Sequence, residues 1–260
     1  MLDAMKQQEP RVTSNYVREH YSNLLAEHYD WMFGMPFETK VAEQKHFLES
    51  LVGLGEPGSL AIDLGCGSGF QSLALADLGY RVLAIDTNEW LLRTLKERSA
   101  SHPINATCGD ILEIETLAGP ASADVVVCMG DTITHLPSFG AVSELVGAVA
   151  RILRPRGQFV VTYRDLAAVE LEGLDRFIPV RSDDQRIMTC FLECTSAETV
   201  VVNDLIHVRD DHGWTLHKSR YQKLRLPAEW LLGQMRASAL SATRQPHAAM
   251  IAISAMKLRT

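Results

Sequence analysis

The 260-residue sequence contains no CxxC pair, and its five cysteines are Cys66, Cys108, Cys128, Cys190 and Cys194. An odd set, with no second pair and no histidine at ligand spacing, argues against a disulfide framework and a zinc site; it points to thiols kept reduced. No apolar run approaches the roughly 20 residues that cross a bilayer; stretches such as AAMIAISAM fall well short. The opening residues, MLDAMKQQEPR, are polar and mixed in charge, without the apolar stretch of a secretory leader. There is no internal repeat and no low-complexity tract. Lysine and arginine (25) are outnumbered by aspartate and glutamate (32), and the formal charge of −7 argues against a broad nucleic-acid footprint while leaving a local basic groove open. These absences point to a cytoplasmic chain that meets neither membrane nor nucleic acid. With 47% hydrophobic and 22% charged residues, it can bury one sizeable α/β domain or two small ones.

What is present is a change of rhythm along the chain. Two helix-prone stretches, Thr13 to Trp31 and ETKVAEQKHFLESLVGLG, come first. Alternation follows: SLAIDLG, YRVLAID, NATCGDI, ADVVVCMGD and QFVVTY read as strands, separated by helices. Asn88 is placed to cap one of these helices, and Pro155 and Gly157 to stop another. Strands and helices alternating at this spacing predict a doubly wound Rossmann-like parallel sheet with helices on both faces. After Arg164 the segments IMTCFLE, ETVVVNDLIHVR and WTLHKSRYQ read as an antiparallel β insertion, with RDDHG as a turn. A helix, AEWLLGQMRASAL, and a final strand, AAMIAISAMKL, complete the α/β fold.

The stretch AIDLGCGSGF carries the most chemistry. Its glycines, Gly65, Gly67 and Gly69, follow a strand and open a helix, where a backbone without side chains lets a ligand approach closely. Their spacing is G-x-G-x-G rather than the dinucleotide G-x-G-x-x-G, and no Lys-Ser/Thr pair completes a P-loop. A tight turn with close strand–helix packing is the other reading of the triplet. Asp86 stands 21 residues after Gly65 at the end of the next strand. A carboxylate there suits a ribose diol, or serves as an N-terminal helix acid.

Taken together, AIDLGCGSGF, VLAIDTNEWL, CGDI and ADVVVCMGD resemble, in order and spacing, the motifs of class I S-adenosylmethionine-dependent methyltransferases over about Ser59 to Tyr163. The resemblance implies S-adenosylmethionine as cofactor. The loop Gly65, Cys66, Gly67 and Gly69 would lie against its amino-acid part, with Asp63 helping to hold that part. Asp86 and Thr87 would lie at the ribose, Gly109, Asp110 and Ile111 beside the adenine, and Met129 and Gly130 near the cofactor amino group. CMGDTITHLPS and FVVTYRD are also similar to the glycine N-methyltransferase group of small-molecule methyltransferases, although Asp131 replaces an amide there and the Gly-Phe expected after the last helix is missing. That likeness implies an N-terminal lid over residues 1–56 with Tyr21 and Tyr29 closing on the cofactor, a binding core over 57–164, a substrate-covering insertion over 165–225, and a C-terminal helix and strand over 226–260.

Methyl transfer needs alignment, a dry pocket and a deprotonated acceptor rather than a metal. His135 is the candidate base or substrate-binding group, with a loop cap as its other reading. Asp131 suits a cationic amine or a capping role, and Arg164 a substrate carboxylate or a salt bridge. Tyr21 and Tyr29 would close over the cofactor or anchor their helix, and His207, His217 and Tyr221 alternate along insertion strands. The expected activity is N-methylation of a small-molecule acceptor. O-methylation and non-catalytic cofactor binding stand beside it, a nicotinamide oxidoreductase is disfavoured by the glycine spacing, and a homo-oligomer is compatible with the chain.

Overall fold

The computed structural model describes residues 12–259, with side chains from Tyr16 onward; the polar opening and the first residues of the expected lid lie outside them. Helix α1 (Val12–His20) runs through a π-helical turn (Tyr21–Leu25) into α2 (Ala26–Met32). Pro36, with an extended backbone, opens α3 (Phe37–Val52), and Gly53 closes it at φ +70°.

The core alternates β1 (Leu60–Leu64), α4 (Phe70–Asp77), β2 (Arg81–Asp86), α5 (Glu89–Arg98), β3 (Ile104–Cys108), α6 (Ile114–Ala118), β4 (Ala123–Cys128), α7 (Phe139–Ile152) and β5 (Leu153–Tyr163). Asn88 caps α5 as expected, its side chain accepting from Leu91 N–H at 3.0 Å. The sheet order is β10-β11-β5-β4-β1-β2-β3. Strands β1 to β5 are parallel, whereas β11 (Met250–Lys257) runs antiparallel to β5 and to β10 (Leu240–His247).

Strand alternation sorts the core into two faces. Ile62, Leu64, Val126, Phe159 and Val161 pack with Leu145, Val149 and Met235 on one side. Ala61, Val125, Val127 and Val160 pack with Leu48, Phe70, Leu75 and Leu95 on the other. Phe159 is fully buried, so truncating it to alanine should cost on the order of 3–5 kcal/mol. The order in which strands are added reverses between the parallel neighbours β1 and β4, which opens a crevice at their carboxyl ends.

Two sequence expectations are corrected. The helix expected to stop at Pro155 and Gly157 ends at Ile152, because Leu153 is extended and already pairs with Ala123. Residues Pro155 to Gly157 form an irregularity before Gln158 pairs with Val125. Two further strands are also present: β6 (Phe177–Ser182) joins the insertion, and β10 forms a hairpin with β11. Both are edge strands containing a proline, Pro179 and Pro246, which breaks the pattern that marks a strand in sequence.

The insertion is therefore a four-stranded antiparallel sheet, β6-β7-β8-β9, with β7 at Arg186–Cys194, β8 at Thr199–Asp210 and β9 at Gly213–Leu224. Along β8 every second residue (Val200, Val202, Asp204, Ile206) is buried. That face packs against the N-terminal helical segment, with Leu24 and Leu25 on Met188 and Ile206. His20 Nε2 lies 3.0 Å from the carboxylate of Asp204. At the other end, Trp31 Nε1 donates to Asp183 at 2.5 Å, and its ring lies beneath the guanidiniums of Arg181 and Arg186.

Candidate active site

A cavity of about 380 Å³ occupies the crevice at the carboxyl ends of β1, β2 and β4, within the size range of small-molecule and cofactor pockets. Of the residues expected at the cofactor, Tyr21, Tyr29, Gly65, Gly67, Asp86, Thr87, Asp110, Ile111 and Gly130 line it, together with His135. Asp63, Cys66, Gly69, Gly109 and Met129 lie behind this lining.

The three glycines have three different neighbours. A Cβ at Gly65 would lie 2.4 Å from Thr132 Cγ2, and one at Gly69 would lie 2.3 Å from Leu95. The first glycine lets the turn after β4 approach; the third seats α5 and is a packing residue. Gly67 has φ +52°, and its Cβ would come within 3.1 Å of Tyr29 Oη. It keeps open the space between the loop and the overlying tyrosine.

Asp86 organises this loop. One carboxylate oxygen accepts from Gly67 N–H and the other from Asn88 N–H, both at 2.8 Å. Each oxygen keeps lone-pair capacity toward the cavity. Burial pushes its carboxyl up, against the backbone donors of Asn88, Gly67 and Thr87. Asp110 caps the short turn that follows it, accepting from Leu112 N–H at 3.0 Å. Asp30 on α2 accepts from Ser68 Oγ at 2.5 Å and pairs with Arg98 at 2.7 Å, which fixes the helical segment to the glycine loop.

Asp63 sits below the loop with 1% of its surface exposed. One oxygen accepts from Ser72 Oγ at 2.6 Å, while Oδ1 has no partner. Burial pushes its carboxyl up to about 7, opposed by the Ser72 bond and reinforced by Asp86. An open glycine face, an unpartnered buried carboxylate oxygen and a two-oxygen acceptor at the β2 edge fit a ligand carrying an amino-acid end and a ribose.

His135 ends the 3₁₀ turn Thr132–His135 and lines the cavity, its ring 6.0 Å from Tyr21 and 5.2 Å from Tyr221 on β9. Nε2 is buried without a partner. Burial pushes the imidazole down to about 3, and Lys223 adds to the effect; the ring is therefore held neutral.

Asp131 and Arg164 require a different reading from the one their sequence positions suggested. They do not stand apart to hold the two ends of a zwitterion; they bind each other. Asp131 Oδ1 accepts from Arg164 N–H at 2.7 Å, and Oδ2 receives both the Arg164 guanidinium and Lys223 Nζ, the latter at 2.9 Å. Burial raises the Asp131 carboxyl, but Lys223 and Arg164 outweigh it and hold the group well below the usual carboxylate range. Neither residue lines the cavity. Of the insertion residues considered, Tyr221 reaches His135, whereas His207 and His217 do not line the cavity. Lys223, Asp204 and Trp31 were missed by the sequence reading; the only signal available for Lys223 was a lysine two residues after Tyr221, on the same strand face.

The parallel sheet with one reversed strand, the glycine loop after β1 and the acid ending β2 together make a Rossmann-like α/β fold with a ligand crevice at its switch point. Residues 62–161 match a family described as "Methyltransferase domain". The chain is 30% identical over 169 residues to the malonyl-[acyl-carrier protein] O-methyltransferase of Serratia marcescens, covering 63% of this chain and 60% of that protein. Against the first curated relatives it matches, the chain spans about two-fifths to three-fifths of their length. Among solved structures, the CcbJ methyltransferase from Streptomyces caelestis superposes with a TM-score of 0.75 at 20% identity, over 92% of this chain and 98% of that one. An amino pentose methyltransferase from Micromonospora echinaspora, solved with S-adenosylmethionine bound, gives 0.71 at 14% identity, over 89% and 95%. These superpositions extend over most of the chain and carry the fold.

Proposed function

We propose that this protein is an S-adenosylmethionine-dependent methyltransferase that transfers the methyl group to an amine nitrogen of a small molecule. The observation that carries the reading is the single cavity shared by Gly67, Asp86, Asp110 and a neutral His135. When bound, S-adenosylmethionine supplies an already activated methyl group on a sulfonium, so the chain's task is binding, alignment and proton removal.

Asp86 offers its two oxygens to the ribose hydroxyls, and Asp110 and Ile111 flank the adenine. Asp63, beneath the glycine loop, supplies the negative charge that the ammonium of the amino-acid end meets across that loop. Tyr21 and Tyr29 exclude water from above. His135, a neutral imidazole on the cavity wall, is the residue placed to take the proton that an ammonium or hydroxyl acceptor must lose, and it keeps this neutral form through neutral and mildly acid pH. Asp131 and Arg164 act beside the pocket, holding the turn that presents His135.

The amino pentose methyltransferase named above acts on a sugar that carries an amine, which supports an amine-bearing small molecule as acceptor. The O-methyltransferase of Serratia supports oxygen instead, and His135 would serve either. The test is turnover with labelled S-adenosylmethionine on panels of small amines and of hydroxyl or carboxyl compounds, followed by mass analysis of the methylated atom. We expect transfer to amines and a drop of at least about 100-fold in kcat for His135→Ala, with little change in KM. Methylation confined to oxygen would overturn the nitrogen assignment, and unchanged kcat in His135→Ala would remove the base.

A further inference from the structure

We infer that Lys223, on the insertion strand β9, is a positioning residue for His135: through Asp131 it fixes the turn that presents the imidazole and sets the charge the ring faces. The inference rests on the proposed function only in taking His135 as the proton acceptor.

The geometry begins at Asp131, a non-glycine residue in the left-handed region at φ +78°, a conformation retained only where its surroundings fix it. The anchors are numerous. Its N–H donates to Thr162 C=O at 3.1 Å, and its own C=O accepts from Thr134 N–H at 2.9 Å and Thr134 Oγ1 at 2.6 Å. Its carboxylate takes Arg164 N–H, the Arg164 guanidinium and Lys223 Nζ. The turn that ends in His135 starts at the next residue.

Lys223 is the only one of these partners supplied by the insertion, and its side chain is 6% exposed. A lysine so buried needs a carboxylate beside it, and here that carboxylate is the foot of the His135 turn. Tyr221, two residues earlier and on the same face of β9, places its ring edge-on to His135 at 5.2 Å. One strand of the insertion therefore grips the turn at both ends, by charge at its start and by an aromatic ring at its finish.

The groups facing His135 are few. Asp131 lies on its own segment, Lys223 and Tyr221 come from β9, and His20 and Tyr21 from the N-terminal helical segment; Arg164, at the end of β5, stands behind Asp131 as its second cation. Two cations against one carboxylate leave the cluster positive, which disfavours an imidazolium beside it. Burial holds the imidazole down first and the Lys223 charge next, while Asp131 acts in the opposite direction. Without Lys223 the cluster is neutral and this opposition to protonation falls.

The test is carbon and nitrogen NMR of the intact protein with labelled histidine, the His135 signal being assigned by its loss in His135→Gln. Wild type should keep a neutral imidazole at pH 5. Lys223→Met should move the midpoint up by on the order of one pH unit, giving a detectable charged fraction at pH 5, and Lys223→Arg should restore wild-type behaviour. Adding Asp131→Asn to Lys223→Met should move the midpoint back down, because the carboxylate that favours the imidazolium is then gone. General loosening would raise it in both variants, and that result overturns the inference, as does an unchanged midpoint in folded Lys223→Met. If Lys223→Met does not fold, Lys223→Gln keeps a hydrogen-bond donor for Asp131 while removing the charge, and carries the same expectation. Unchanged turnover in His135→Ala would overturn the base assignment without altering these titrations, so the two failures are distinguishable.

Discussion

Replacing Asp63 by asparagine should stabilise the fold, and by an amount that grows with pH. Asp63 lies on the central strand β1, paired between Ala84 and Val127, with one oxygen on Ser72 and the other unpartnered. Its folded pKa, raised from 3.8 to about 7, means that between these values the native state binds a proton that the unfolded chain has released. Stability contributed by this group is therefore full below about pH 4 and declines as pH rises toward 7. At about 1.4 kcal/mol per unit the full penalty above pH 7 has a ceiling of about 4 kcal/mol, which relaxation around the anion reduces. Asp63→Asn is neutral throughout and close in shape. Urea denaturation of both proteins at pH 4.5, 6, 7 and 8 should show the stability difference shifting in the variant's favour by roughly 2–4 kcal/mol across the series. A difference independent of pH, or one that shifts toward the wild type, would refute the assignment of a raised pKa. Under the proposed function the same substitution also weakens S-adenosylhomocysteine binding, because the charge that costs stability is the one the ligand's ammonium meets.

Two further substitutions probe the cavity. Gly67→Val should abolish measurable S-adenosylmethionine binding by calorimetry while the far-ultraviolet spectrum stays native, since the side chain strains φ +52° and presses on Tyr29; a folded variant with wild-type affinity would reassign the loop. Asp86→Ala should weaken S-adenosylmethionine and S-adenosylhomocysteine alike by on the order of 1.5–3 kcal/mol. The same variant should lower the melting temperature, because Gly67 and Asn88 lose their acceptor; loss of affinity for only one ligand would exclude a ribose contact.

The central sheet was legible because its signals are local. Buried strands read as apolar runs, Gly65, Gly67 and Gly69 mark the first junction, and Asn88 caps α5 by accepting from an N–H only three residues on. The edge strands β6 and β10 were not legible, since their pairing is set by neighbours and not by their own alternation. The site divides along the same line. Asp86 ends its strand, and Asp110 and His135 lie in the short turns after theirs, so position along the chain was enough to place them at the cavity. The partners of Asp131 depend on Lys223, 92 residues further on, and on how the insertion folds back. The residue types at 131 and 164 suggested an amine and a carboxylate as ligands; only tertiary structure pairs them with each other.

The contacts at Trp31 also bear on biosynthesis. Asp183 lies 152 residues later in the chain, and Asp204, the partner of His20, later still. The segment that covers the cavity is thus synthesised before its docking surface on β7 and β8, which follows strands β1 to β5 of the core and precedes β10 and β11. Its apolar residues, Leu24 and Leu25 among them, must wait in solvent or against the nascent core until the insertion arrives. Closure over the cavity then depends on long-range contacts between residues more than 150 positions apart in the chain.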